Sequence, residues 1–139
     1  SIVDVLPHGK SMSSKGGIHL VDGPGQDVLC LTALSAAGAH IVLFTTGRGT
    51  PTGSPIAPTV KITANSTTFE RLAPEAEASG DIDVLLPVDE IFESGKALDA
   101  IARDTLVPAI RQIANGERRT TSEQRGQTDL QVRQLWPID

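Results

Sequence analysis

Six consecutive residues, 40–45 (HIVLFT), are mostly apolar and rich in β-branched side chains, with glycines close on either side. A strand of that kind needs apolar cover on both faces. The pattern predicts a central strand of a parallel sheet with helices above and below. The flanking segments agree. Residues 2–6 (IVDVL) and 17–21 (GIHLV) read as strands, separated by a polar, Gly- and Ser-bearing loop over 7–16. Residues 26–38 (QDVLCLTALSAAG) exceed the usual strand length and are rich in Leu and Ala, which predicts a helix ending at Gly38.

After a long loop, residues 58–63 (PTVKIT) alternate, with Val60 and Ile62 on one face and Lys61 on the other. Residues 66–72 form a short helix capped by Asn65 or Ser66, with Arg71 near its end. Residues 81–86 (DIDVLL) give another strand. Residues 89–115 are helical in composition, with Leu98, Ala102, Leu106, Ala109 and Ile113 on one stripe and Asn115-Gly116 as a stop. Pro108 either kinks that helix or starts a second one. A further strand is expected at 129–135. Strands alternating with helices predict an α/β domain: three layers, a mostly parallel sheet with helices on both faces, Rossmann-like. The 139 residues suit one such domain over 1–139.

Composition narrows the function. A net charge of −5, no basic run, and only four aromatic residues (Phe44, Phe69, Phe92, Trp136) argue against nucleic acid and anionic membrane partners. No apolar run approaches the about 20 residues of a membrane helix. The single Cys30 forms no internal disulfide and no structural zinc site, which points to a reducing, cytoplasmic setting. The chain opens on Ser1 and runs at once into apolar sequence, as expected if it was cut from a longer protein.

In parallel sheets, ligands sit beyond the carboxyl ends of the strands. Two turns lie there. Asp22-Gly23-Pro24-Gly25-Gln26-Asp27 follows the strand ending at Val21, and taken alone it reads as a tight turn before a helix. The second, Thr45 to Pro55, carries three glycines and four threonines. Its Arg48 stands between Gly47 and Gly49, so nothing bulky shields the guanidinium, a planar fork suited to a carboxylate or phosphate. An ordered loop of that length at a strand end favours function over a solvent salt bridge. Familiar phosphate motifs fail: Gly53 is followed by Ser54-Pro55 rather than Lys-Ser/Thr, and Thr52 stands where a dinucleotide fingerprint needs glycine. Cys30 reads as a buried helix residue. His19 and His40 read as structural, leaving His8, in its small-residue loop, as the freer acid–base candidate. Lys61 is either an anion ligand or a snorkelling surface lysine.

The run GIHLVDGPGQDVLCLTALSAAGAHIVLFTTGRGTPTGSPIAPTVKITANS, residues 17–66, resembles the C-terminal part of the altronate and galactarate dehydratase family. AAGAHIVLFTTGRGTP followed by PTVKITANS is its most specific portion. The sulfolactate sulfo-lyase large subunit is a relative with the same kind of domain. The resemblance implies a bacterial hydro-lyase that removes water from a sugar acid to give a 2-keto-3-deoxy acid. It also implies a divalent metal, iron or manganese, whose ligands are not assigned in this chain. Complete members are longer, so the N-terminal domains of the same enzyme are expected partners, the isolated piece is expected to be inactive, and a homo-oligomer is compatible with the pattern. One departure is clear. Asp81-Ile82-Asp83-Val84 runs into Leu85-Leu86-Pro87, where the family pattern has Asn-Ala-Gly.

The chemistry implied removes a proton beside a carboxylate and the hydroxyl on the next carbon. On that basis Arg48, with Thr45, Thr46 and the Gly47 and Gly49 amides, is expected to hold the substrate carboxylate. Asp22 or His8 is expected to serve as acid–base group, and Lys61 and Asn65 to contact hydroxyls or the carboxylate. The rival expectations are a non-catalytic α/β module that binds an anionic metabolite, or a carbon–sulfur lyase domain of the sulfolactate sulfo-lyase type.

Overall fold

The computed structural model describes residues 2–13, 16–73 and 80–132. Its strands are β1 (Ile2–Leu6), β2 (Ile18–Val21), β3 (Val42–Thr45), β4 (Thr59–Thr63) and β5 (Val84–Leu85). Every strand pairing is parallel, in two groups, β1-β2 and β3-β4-β5. The helices are α1 (Asp27–Ala37), α2 (Ser66–Leu72), α3 (Asp89–Ser94), α4 (Leu98–Ile101), α5 (Val107–Ala114) and α6 (Thr121–Arg125).

The layers follow from which side chains meet. On one face of β3-β4-β5, Val60, Ile62 and Val84 pack with Ala109 and Ile113 of α5. On the other, Val42 packs with Leu31 of α1 and with Ala57. The fold is therefore the α/β arrangement with parallel strands between helices. α1 starts where the Gln26 side chain accepts the Leu29 N–H at 2.8 Å. It ends at Gly38, whose φ of 105° is the left-handed conformation that glycine tolerates.

Several sequence expectations need correction. The central strand is β4, in which all five residues are buried; β3 lies at the edge of its group, with Leu43 and Thr45 exposed. An apolar run signals burial but not position in the sheet. The strand expected over 81–86 shrinks to Val84–Leu85. Residues 129–132 form no strand, although Thr128 makes an isolated bridge to Gly53; the rest of that expected strand lies outside the described residues.

The long helical segment breaks at Gly95, which adopts a left-handed φ of 70°. Beyond it, Ala102–Leu106 forms a π-helical segment that leads straight into α5. Pro108 lacks an N–H, and its ring would crowd the carbonyl four residues back. The wider turn, with the Val107 N–H reaching the Ala102 carbonyl, relieves that crowding just ahead of it. Leu98, expected on the buried stripe, is 58 % exposed; Ile101 is buried instead.

The β1-β2 pair is less well covered. Leu6 and Val21 line a cavity of about 360 Å³ together with Leu34 and Ala37 of α1. On the opposite face, the registered pairs Ile2–Ile18 and Val5–Leu20 leave four aliphatic side chains between 46 % and 61 % exposed.

Candidate functional site

Parallel pairing brings the carboxyl ends of β3, β4 and β5 to one edge. A cavity of about 450 Å³ opens there, lined by Thr45, Thr46, Gly47, Thr63, Asn65 and Leu86, among others. The Thr46 N–H continues the ladder to the Ile62 carbonyl at 2.9 Å. Its hydroxyl then accepts the Gly49 N–H at 3.0 Å, which turns the chain sharply back. Gly49 has φ 89°, a left-handed conformation that favours glycine, and an added Cβ would push the tip of the Leu72 side chain aside.

Asn65 caps α2: its side-chain oxygen accepts the Thr68 N–H at 3.0 Å. The amide nitrogen remains as the group able to donate toward the cavity. Thr68 in turn donates from its hydroxyl to the Gly47 carbonyl at 2.9 Å, so α2 and the loop are joined.

A second cleft of about 420 Å³ shares Gly47 with the first. Arg48, Thr68, Arg71 and Leu72 complete its lining. Both arginines are exposed, and among the described residues neither guanidinium has a carboxylate partner. Two unpaired planar forks at one cleft, beside a wall of hydroxyls and an amide, suit an anion that also carries hydroxyl groups. Sequence reasoning treated Arg71 only as a favourable charge at a helix end. The missed signal was its spacing: Thr68 and Arg71 lie three apart, on the α2 face that meets the loop.

Asp22 and His8 sit elsewhere. Both follow the carboxyl ends of β1 and β2, where the Asp22 N–H reaches the Leu6 carbonyl at 2.8 Å. The side chain of Asp22 is exposed; His8 is half-buried, with a buried Nδ1 that lacks a hydrogen-bond partner among the described residues. Neither lines the two cavities above. One bond links the two regions: the Thr50 hydroxyl donates to Asp27 in the first turn of α1 at 3.3 Å, just past the Asp22–Gln26 turn.

Lys61 is fully buried, so it is not a surface lysine. Register places it on the same face of the sheet as Phe44, the face toward α1. Its Nζ donates to the Pro51 carbonyl at 3.2 Å, and its backbone N–H to Asp83 Oδ2 at 2.8 Å. Burial holds its pKa below the ordinary lysine value; Asp83 and Asp81 oppose that shift and Arg125 adds to it. Asp83 is a buried anchor that sequence reasoning passed over. Its Oδ1 accepts the Thr121 N–H at 2.7 Å, and its carbonyl accepts from Arg118 at 2.7 Å.

Among the described residues no group of three or more His, Cys, Asp or Glu side chains is placed to hold a metal ion. The residues present do not fit a divalent metal site by themselves. Nor is any described helix long and apolar enough to cross a membrane.

Residues 1–138 match the family model described as D-galactarate/altronate dehydratase, C-terminal. The chain is 37 % identical over 116 residues to an altronate dehydratase of Escherichia coli, covering 84 % of this chain and 21 % of that protein. It is 48 % identical over 69 residues to an altronate dehydratase of Bacillus subtilis, covering 50 % of this chain and 14 % of the relative. A galactarate dehydratase (L-threo-forming) of Escherichia coli is 39 % identical over 62 residues, 45 % of this chain and 12 % of that protein. The chain thus spans about a fifth or less of the length of these relatives.

Proposed function

Since the chain belongs to the D-galactarate/altronate dehydratase family, matching its C-terminal model, we propose that it forms the substrate-carboxylate half of a hydro-lyase that dehydrates a sugar acid. The observation that carries this is the pair of guanidinium groups, Arg48 and Arg71, without a carboxylate partner among the described residues, beside the cavity of Thr45, Thr46, Gly47 and Asn65. Arg48 grips the carboxylate, Arg71 supports it, and Gly47 leaves the backbone open to the anion; the Gly49 amide, expected from the sequence to share that task, is already given to the Thr46 hydroxyl. The threonine hydroxyls and the Asn65 amide meet the substrate hydroxyls.

The reaction breaks a C–H bond beside the carboxylate and a C–O bond on the neighbouring carbon. A base takes the proton, and an acid protonates the departing hydroxyl, which leaves as water. The resulting enol gives up its hydroxyl proton to solvent and takes one up at carbon to become the 2-keto-3-deoxy acid. Charge builds on the carboxylate as the proton leaves, which is where a guanidinium stabilises most. Asp22 and His8 serve as the acid–base groups. They lie outside both cavities, at the carboxyl edge of β1-β2, and their assignment rests on that place and on their chemistry. A divalent metal, expected from the family, draws its ligands from elsewhere in a longer cytoplasmic enzyme, and no step here runs through it.

The test is Arg48→Lys in the full-length enzyme, which keeps the charge and loses the fork. KM for the sugar acid is expected to rise at least about tenfold, since a bidentate charged contact is worth roughly 1.5–3 kcal/mol. Wild-type KM and turnover would remove the carboxylate role. Anion binding by the full-length protein without turnover on any aldonate or aldarate would favour a binding module instead.

A further inference from the structure

Lys61 is a long cationic side chain with no exposed surface, in the middle of the central strand. A buried ammonium is costly unless its charge and donors are met. Aliphatic residues stand beside it at Val60 and Ile62, and another would fill the same space at less cost, so packing alone does not explain a lysine. What the amine contacts does. Its Nζ donates to the carbonyl of Pro51, in the stretch between Gly49 and Gly53.

That stretch has few other ties. Thr46 holds the first turn through Gly49, and Thr50 reaches Asp27 at 3.3 Å. At the far end Gly53 bonds to Gln127 and Asp129 through its backbone. Between them Pro51 has no N–H to give, and the lysine amine takes its carbonyl. Asp83 steadies the arrangement from beneath, because its carboxylate accepts the backbone N–H of Lys61 itself.

We propose that Lys61 is a positioning residue: from the buried strand it pins the Pro51 carbonyl and so fixes the loop that presents Arg48, without touching the substrate. The inference rests on the proposed carboxylate site for its functional consequence, but the pinning itself is measurable without any substrate. It also accounts for a lysine at a place where neither solvent nor a described cavity reaches it.

The experiment compares Lys61→Met and Lys61→Arg with wild type in the full-length enzyme, by amide hydrogen exchange over residues 46–53 and by steady-state kinetics. In Lys61→Met, exchange over 46–53 is expected to rise at least tenfold relative to β4, and KM to rise about tenfold with kcat changed less than threefold. Lys61→Arg keeps a donor and is expected to restore most of both. Should Lys61→Met fail to fold, Lys61→Gln, one atom short of reaching Pro51, carries the same expectations. Unchanged exchange over 46–53 in a folded variant overturns the proposal, whatever happens to thermal stability. Raised exchange with unchanged KM upholds the pinning and removes the loop from substrate binding, so the two readings fail separately.

Discussion

The two groups of parallel strands share one hydrogen-bonding pattern and differ in everything around it. In β3-β4-β5 the middle strand is buried along its whole length, between α5 on one side and α1 on the other. In β1-β2 one face meets α1 and the other shows Ile2, Val5, Ile18 and Leu20 to solvent. Parallel sheets ordinarily have both faces covered. The cavity and the arginine cleft open at the carboxyl edge of the group whose middle strand is enclosed on both faces.

The sharpest way to break this contrast is Asp83→Ala. It leaves two buried N–H groups without an acceptor and removes a negative charge near Lys61. A loss of about 3–5 kcal/mol is expected in urea unfolding. A loss below ~1 kcal/mol would mean that the enclosed group does not depend on its polar anchor. Gly49→Ala follows, at about 1–3 kcal/mol, because alanine resists the left-handed backbone and its Cβ would collide with Leu72. Turnover of the full-length enzyme should fall with it; intact activity would separate the loop from the site.

A pH titration probes the same enclosure more gently. Burial lowers the Lys61 pKa in the folded state, so between that value and 10.5 the unfolded chain binds more protons. Stability therefore gains with rising pH across that window. The wild type should improve relative to Lys61→Met as pH climbs toward 10, and parallel curves would contradict a buried ammonium. The smallest effect belongs to the open face. Leu20→Thr should alter stability by no more than about 0.5 kcal/mol, since threonine suits strands and Leu20 is 46 % exposed. A loss above ~2 kcal/mol would show that this face is covered after all.

Local signals in the sequence were readable. Gly38 ends α1 and Asn65 caps α2, as those residue types do on their own chemistry. Arg48 between glycines marked the loop for the same reason. What could not be read depends on distant segments. Lys61 sits in an alternating pattern that normally means a solvated face. It is buried where the Pro51 carbonyl meets its amine, and Gln127 and Asp129 hold that loop at Gly53. The edge position of β3 likewise depends on which strand pairs beside β4, and no run of six residues encodes that. Pro108 announced a disturbance in the helix, but nothing local said whether the chain would kink, restart or widen into the π-turn it makes.

The bridge between Gly53 and Thr128 carries a consequence for how the domain comes to be made. An added Cβ at Gly53 would meet Ser122, so the loop and the residues around α6 fit together with no slack. During synthesis, Arg48 leaves the ribosome roughly eighty residues before the segment that clasps its loop. At about 5–20 residues per second, the loop waits several seconds for its clasp. The loop can therefore be fastened only after β4, β5 and α5 have been synthesised.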